Sequence, residues 1–228
     1  MTPDFSPSSR ARLTSHDLDR FPTHSLFDRI GRTVCEAGCL PRKELYESWE
    51  LARRTRRFCR GGRVVDLGGG HGLVAQLMLL LDDTSPVAVV IDTTIPPSAV
   101  PVHEVLVKAW PRLSGRIKFK TASLQSVELT ENDVVVSCHA CGALTDLVID
   151  RAVAVRAPLA VLPCCHDIET CNAGPLGGWM DSALAIDTMR AVQLERHGYR
   201  VWTQNIPSSI TPKNRLLIAA PQSHSDPR

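Results

Sequence analysis

Two short groups of cysteine and histidine residues follow apolar runs that are typical of buried strands. The first group, SCHACG, occupies residues 137–142, and the second, PCCH, occupies residues 163–166. Thiol and imidazole side chains can serve as a base, a nucleophile or a metal ligand near neutral pH. The candidate catalytic residues are therefore His139, Cys141, Cys164, Cys165 and His166.

Four interpretations of these groups compete. In the first, His139 or His166 removes a proton from an acceptor that the neighbouring side chains align. In the second, a zinc ion is held by four ligands chosen from Cys138, His139, Cys141, Cys164, Cys165 and His166. Only one Cys-x-x-Cys spacing occurs, and adjacent Cys164 and Cys165 make an awkward second pair, so we predict no metal.

The third interpretation is covalent chemistry. Cys164 follows a proline, as in the enzymes that add a thiolate to a pyrimidine ring before they methylate C5. A redox pair of Cys138 and Cys141 is a weaker variant, because it lacks the expected helix context. In the fourth, the cysteines simply pack in the interior. Packing accounts poorly for two Cys-His groups at two neighbouring strand ends, so we favour the catalytic interpretation.

A glycine-rich turn follows the first predicted strand, in the sequence VVDLGGGHG at residues 64–72. Its glycines are Gly68, Gly69, Gly70 and Gly72. Residues without a Cβ on a strand-to-helix turn let a ligand approach the backbone closely. A dinucleotide fingerprint counted from Gly68 would need glycine at position 73, which is Leu73, and no P-loop pattern occurs. Asp92 ends the second predicted strand, where an acid can accept ribose hydroxyls.

The pattern along the chain predicts an α/β fold with a doubly wound, seven-stranded sheet. Short apolar, β-branched runs alternate with helical patterns, and the strands are predicted at residues 63–67, 87–92, 116–121, 133–137, 159–162, 199–205 and 215–220. Continuous apolar runs are typical of strands buried on both faces. Ligands bind at the carboxyl ends of such strands, so the glycine turn and both Cys/His groups should share one edge.

The domain organisation is predicted from composition and periodicity. We expect a disordered tail at residues 1–22, a helical segment at residues 23–59, one α/β domain at residues 60–221 and a disordered tail at residues 222–228. Ser, Pro and Arg dominate the first tail, which is typical of disorder. The helical segment should pack onto the domain as an N-terminal extension.

The pattern D-x-G-x-G-x-G, which begins at Asp66, resembles motif I of the S-adenosylmethionine (SAM) methyltransferases. The resemblance implies that SAM is the cofactor, with its methionyl carboxylate near the helix N-terminus. It also implies that Asp66 positions the turn and the cofactor's amino group, while Asp92 binds the ribose. We assign Ser123 to the adenine, where many of these enzymes have Asp. Cys138 is assigned to the cofactor because it follows the fourth strand at the same edge.

A second resemblance involves both Cys/His groups. HACGALTD at residues 139–146, followed by CCH at residues 164–166, resembles the methyltransferase domain shared by the eukaryotic tRNA acceptor-stem 2′-O-methyltransferases and by uncharacterised methyltransferase-like proteins, bacterial ones included. The resemblance covers residues 60–220. It implies a Rossmann-like class I methyltransferase sheet with both groups at the active site. A lysine precedes this histidine in the tRNA enzymes, whereas Cys138 does here, which argues against 2′-O chemistry.

Bulk properties restrict the partners. The 228 residues are 43% hydrophobic and 22% charged with a net charge of +2, which is typical of a soluble globule and requires a local basic patch for any polyanion. Arg53, Arg54, Arg56, Arg57 and Arg60, together with Arg63, could bind RNA phosphates or could simply form a solvated helix face. The four tryptophans are scattered, which favours core or pocket-wall positions over a stacking platform.

The N-terminal sequence lacks an apolar signal region, and no run approaches the ~20 residues needed to cross a bilayer, so we expect a cytoplasmic protein with thiol cysteines. The sequence thus predicts a SAM-dependent methyltransferase that acts on RNA, with tRNA as one candidate. The alternatives are a small-molecule methyltransferase and a non-catalytic SAM-binding or zinc-stabilised scaffold.

Overall fold

The computed structural model describes residues 5–222 of the chain. Its seven strands are β1 (Arg63–Leu67), β2 (Ala88–Asp92), β3 (Ile117–Thr121), β4 (Asp133–Ser137), β5 (Leu159–Val161), β6 (Tyr199–Asn205) and β7 (Arg215–Pro221). Its six α-helices are α1 (Leu26–Ala37), α2 (Arg42–Thr55), α3 (Leu73–Leu81), α4 (Ala99–Ala109), α5 (Ala143–Ala154) and α6 (Ser182–Arg196). The strands match the predicted runs to within one residue at each end.

The strands form one sheet in the order β3-β2-β1-β4-β5-β7-β6. All neighbours from β3 to β5 pair in parallel, and only β7 runs antiparallel to both of its neighbours. The order reverses at β1 and β4, and in open α/β sheets ligands bind at such a switch point. The predicted seven-stranded α/β sheet is therefore confirmed.

Helices cover both faces of the sheet, as the apolar runs predict. One buried cluster contains residues of the four helices α1, α2, α3 and α4, together with strand residues such as Val64, Val90 and Val136. The other joins α5 and α6 with their strand neighbours, such as Val65 and Val135. Successive strand residues point to opposite faces, so a strand covered on both sides must be apolar at nearly every position.

The N-terminal segment differs from the disorder predicted for residues 1–22. Residues 5–22 are described and include a short 3-10 helix at Ser15–Arg20, and Leu13 and Phe21 are almost completely buried. The backbone N–H of Leu13 donates to the carbonyl of Leu40 (2.8 Å), and the ring of Phe21 packs against Gly31. Burial of these apolar side chains stabilises an ordered segment although its composition is mostly polar. Residues 1–4, and residues 223–228 of the tail predicted at residues 222–228, lie outside the described residues.

Helices α1 and α2 share one apolar core with the sheet, so the predicted boundary at residue 60 does not divide the packing. The division into a segment and a domain stays a prediction. Of the helices in residues 5–222, none combines the length and the apolar character that a membrane span requires.

Candidate functional site

The glycine turn lies between β1 and α3. Gly70 has φ +50°, a conformation that residues with a Cβ rarely adopt, and the space around its missing side chain is open. Gly72 is the N-cap residue of α3, and a Cβ there would lie 2.7 Å from Cγ2 of Val90 and 2.8 Å from Cε1 of Phe119. The turn thus presents bare backbone at the N-terminus of a helix, where the peptide dipoles favour an anionic group.

A cavity of about 320 Å³ opens above this turn, within the range of about 300–1,000 Å³ that is usual for small-molecule sites. Among the residues that the sequence analysis named, those that line it are Gly68, Gly70, Asp92, Ser123 and His139. The backbone N–H of Gly70 donates to Oδ2 of Asp92 (3.1 Å). The acid that ends β2 and the glycine turn therefore form one continuous wall of the cavity.

Asp66 lies beneath the turn, where its side chain packs under Gly69. Its side chain is completely buried, and its Oδ2 accepts a hydrogen bond from the backbone N–H of Ala75 (3.3 Å). Burial, with smaller contributions from the nearby acids Glu44 and Asp92, raises the pKa of Asp66 to about 7 against the lowering effect of the Ala75 hydrogen bond. Asp66 is thus placed to fix the turn from below, and the role at the cofactor's amino group stays a prediction.

Two further lining residues, Glu44 and His71, were not anticipated from the sequence. Nδ1 of His71 donates to the carboxylate of Glu44 (2.9 Å), and Nε2 of His71 lies 2.8 Å from Oγ of Ser98. Glu44 belongs to α2 and Ser98 precedes α4. One feature of the sequence pointed to this contact, namely the imidazole of His71 inside the glycine turn. Its partner Glu44 lies 27 residues earlier in the chain, so the pairing itself could not be predicted.

His139 reaches the cavity from the loop after β4, with Cys138 and Glu47 behind it. Ligand atoms of Glu47, Cys138 and His139 lie within 4.8 Å of one another. Burial raises the pKa of Glu47, although the positive charges of Lys43 and His139 act to lower it. Burial also raises the pKa of Cys138. Cys138 was predicted to bind the cofactor, but it is 2% exposed and belongs to the apolar core. We therefore correct that assignment to a packing position.

The remaining thiols of the two groups converge beside the loop. The sulfurs of Cys141 and Cys164 lie 2.8 Å apart, and those of Cys164 and Cys165 lie 3.8 Å apart. Burial raises the pKa of Cys141 and of Cys164, which disfavours a thiolate at Cys164 and weakens its interpretation as a covalent nucleophile. A hydrogen bond from Cys141, with help from Lys213 and Lys43, lowers the pKa of Cys165.

His166 is engaged elsewhere, in an ionic network with α6. Its Nε2 donates to the carboxylate of Asp187 (2.8 Å), which also binds Arg190 and Arg215. The imidazole is only 3% exposed. His166 was predicted as a catalytic residue, but a buried ring that is fixed to a carboxylate is poorly placed to meet a substrate. We correct its role to that of a structural link between the loop after β5 and α6.

Four of the six arginines considered for RNA binding form ion pairs within the protein. Arg53 and Arg54 pair with Glu50, and Arg63 pairs with Asp133 at the start of β4. Arg56 is 3% exposed, because its guanidinium donates to the backbone and to Ser85 and pairs with Asp82. Arg57 and Arg60 are exposed, and their side chains form no hydrogen bond or ion pair with residues 5–222. Of the predicted RNA contacts, only these two have accessible, uncommitted guanidinium groups.

A larger cavity of about 670 Å³ lies between α6 and the β6–β7 pair. Its walls include Asp187 and Arg215 of the ionic network but none of the glycines of the turn. Size alone does not identify a functional site. The smaller cavity lies at the switch point of the sheet and is lined by the glycine turn, Asp92 and His139, so we take it as the candidate site.

A sheet of this order, with a glycine turn after β1 and an acid after β2, defines the class of Rossmann-like methyltransferases. Comparison with known proteins agrees. A family model described as a methyltransferase domain matches residues 43–170, which is more than half of the 228 residues. The chain belongs to this methyltransferase domain family. The match begins within α2, so the helix that carries Glu44 is part of the matched region. Comparison with curated protein sequences gave no significant match.

Solved structures share the fold at low sequence identity. One is an O-methyltransferase family protein from Burkholderia thailandensis, with a TM-score of 0.54 and 18% identity over 93% of this chain and 64% of that chain. Another is the ribosomal protein L11 methylase from Lactobacillus delbrueckii subsp. bulgaricus, with a TM-score of 0.51 and 12% identity over 78% and 79% of the respective chains. The chain thus spans about two thirds of the Burkholderia protein, and the likeness indicates the fold alone.

Proposed function

We propose that the protein is a SAM-dependent methyltransferase whose cofactor binds in the cavity above the glycine turn. The observation that carries the proposal is the pairing of Gly70 with Asp92. Gly70 offers open backbone beside the N-terminus of α3, and the Asp92 carboxylate lines the same cavity 3.1 Å from its N–H. The turn suits the methionyl carboxylate and Asp92 suits the ribose hydroxyls. These residues fit SAM, and Ser123 lies on the wall that we assign to the adenine.

SAM, when bound, supplies an electrophilic methyl group on a sulfonium. The protein's part is to align an acceptor and, where the acceptor carries a proton, to remove it. We assign the removal of that proton to His139, because this residue lines the cavity. Glu47 is a positioning residue. Its buried carboxylate has an oxygen within 4.8 Å of a ring nitrogen of His139 and would stabilise the charged imidazole.

We propose RNA as the acceptor, with tRNA as the particular RNA that the family resemblance suggests. The supporting residue is Trp179, which we had expected to be a core or pocket-wall residue. It is 86% exposed on the loop between β5 and α6, and the same loop carries Cys164 and Cys165. Exposed aromatic rings stack unpaired bases, and Lys43 and Lys213 add positive potential beside Cys165.

The test is transfer of a tritiated methyl group from SAM into separated RNA, protein and metabolite fractions. We expect label in RNA. Label confined to metabolites would favour the small-molecule alternative, and SAM binding without transfer to any fraction would favour a scaffold. His139→Ala should lower turnover at least about 100-fold, the lower range for a general base, with SAM affinity unchanged. His24→Ala, at an exposed position before α1, is the control.

The RNA part has its own test in Trp179. Trp179→Ala should raise the KM for RNA about tenfold, because one stacked base contributes about 1–3 kcal/mol. Trp179→Phe keeps an aromatic face and should restore most of the affinity. The SAM dissociation constant should be the same in all three proteins, so a change in SAM affinity would assign Trp179 to the cofactor site instead.

A further inference from the structure

Three cysteines from two different loops bring their sulfurs together at the carboxyl edge of the sheet. Cys141 lies between β4 and α5, and Cys164 and Cys165 follow β5. All three sulfurs lie within 4.8 Å of one another. Every cysteine in the chain is a free thiol, so no disulfide accounts for this convergence.

Backbone hydrogen bonds hold the two loops side by side at the carboxyl ends of β4 and β5. Strands β4 and β5 pair in parallel, with Ser137 opposite Val161, and the N–H of Leu162 donates to the carbonyl of Ser137 (3.0 Å). Beyond the strands, the N–H of Gly142 donates to the carbonyl of Cys165 (3.2 Å). The last bond joins the residue after Cys141 directly to Cys165. The convergence of the sulfurs therefore follows from the strand register and not from mobile side chains alone.

Burial in an apolar core does not explain these thiols. Cys141 and Cys165 are exposed and Cys164 is half-buried, whereas Cys35, Cys59, Cys138 and Cys171 are buried. Packing accounts for the second set, because a buried thiol behaves as a small hydrophobic group. Two exposed thiols and one half-buried thiol gain little from burial, so their convergence indicates that they bind a ligand.

We propose that Cys141, Cys164 and Cys165 form a zinc site with three thiolate ligands and a fourth position open to solvent. Three sulfurs bound at about 2.3 Å to a tetrahedral zinc ion lie about 3.8 Å apart. Cys164 and Cys165 already have this separation, and Cys141 and Cys164 would move apart by about 1 Å. Thiolate ligands select soft or borderline ions such as Zn²⁺ over Mg²⁺ or Ca²⁺.

The surrounding charges suit such a complex. A zinc ion with three thiolates has one net negative charge, and Lys43 and Lys213 lie where they act on Cys165. The other candidate ligands are committed elsewhere, since His166 is fixed to Asp187 and His139 lines the cofactor cavity. This division separates the three-cysteine site from the residues that we assign to methyl transfer. It also reduces the six ligands considered from the sequence to three.

The test is metal binding by the full-length protein, first stripped with a chelator under reducing conditions. Zinc added to this protein should bind with a stoichiometry of one per chain. Co²⁺ in its place should give the intense near-ultraviolet absorption of thiolate-to-metal charge transfer, with an intensity that reports three sulfurs. Each of Cys141→Ser, Cys164→Ser and Cys165→Ser should weaken zinc binding at least tenfold. Cys39→Ser changes a cysteine outside the cluster and should leave binding unchanged.

Two outcomes would overturn the site. They are the absence of stoichiometric zinc from the reduced protein, and a zinc affinity in the three serine variants that equals that of the wild type. Circular dichroism and the SAM dissociation constant of each variant separate loss of the metal from misfolding. A protein that binds SAM but no zinc would retain the proposed function and lose only this site.

Discussion

The carboxylate of Glu44 lies 2.9 Å from Nδ1 of His71, and this contact joins α2 to the glycine turn. Nε2 of the same imidazole lies 2.8 Å from Oγ of Ser98, just before α4. Both Glu44 and His71 line the candidate cofactor cavity. The N-terminal helical extension is therefore a structural component of that cavity and not only a cover for the sheet.

We expect Glu44→Gln to weaken SAM binding about tenfold, because a neutral amide oxygen replaces the charged acceptor of the His71 hydrogen bond, and this weaker bond holds the imidazole less firmly in its orientation. Isothermal titration with SAM measures the effect. Glu36→Gln is the matched control, since Glu36 is 55% exposed and pairs loosely with Lys108 at 3.9 Å. Equal SAM affinity in both variants would exclude Glu44 from the cofactor site.

Gly70→Val tests the turn itself. A valine at φ +50° costs about 1–2 kcal/mol of backbone strain, and its side chain would occupy the wall of the cavity. We expect SAM binding to be lost while the protein remains folded. Gly115→Val is the control, because Gly115 has φ +70°, equally open surroundings and a position just before β3. The two variants should lose similar stability, and retention of SAM binding by Gly70→Val would contradict the assignment of the turn.

Asp66 should make the protein less stable as the pH rises. Burial raises the pKa of its carboxyl from 3.8 to about 7, so between these values the folded protein holds a proton that the unfolded chain has released. The unfolded state binds fewer protons in this range, and the free energy of unfolding therefore falls with increasing pH, by up to about 1.4 kcal/mol per pH unit. The Asp66 contribution is largest in favour of folding below about pH 4.

Asp66→Asn removes this titration with little change in shape. Urea unfolding of the wild type and of this variant at several pH values from about 4 to 8 gives the difference in their stability. We expect that difference to shift in favour of the variant as the pH rises towards 7. A difference that stays constant across the range would mean that the carboxyl of Asp66 titrates normally in the folded state.

The sequence could predict those parts of the molecule that depend on local pattern. Strands buried on both faces are apolar at nearly every position. Gly70 lies in the turn after one such strand and Asp92 ends another, so their shared edge could be inferred. The contact between Glu44 and His71 could not, because the amphipathic pattern of α2 indicates which face is buried but not what that face meets. His166 looked equivalent to His139 in type and spacing, but Asp187, which lies 21 residues later, fixes it in a different network.

Arg56 and Arg57 are neighbours in sequence with opposite environments, and substitutions should separate them. Arg56 is buried and pairs with Asp82 at 3.3 Å, whereas Arg57 is exposed. We expect Arg56→Ala to lower the free energy of unfolding by about 3–5 kcal/mol, because it leaves Asp82 buried without this partner. Arg57→Ala should change it by less than about 0.5 kcal/mol. Urea unfolding measures both values.

Binding of RNA should depend on the exposed arginines Arg57 and Arg60. Because Arg57 and Arg60 are exposed, the double variant Arg57→Ala/Arg60→Ala should weaken RNA binding and lower its dependence on salt, by about one released counterion for each phosphate that an arginine no longer neutralises. Filter binding of labelled RNA at several salt concentrations measures the slope. If the slope of the double variant equals that of the wild type, neither arginine meets a phosphate. Any electrostatic contribution to RNA binding must then come from elsewhere, with Lys43 and Lys213 beside the cysteine site as the next residues to substitute.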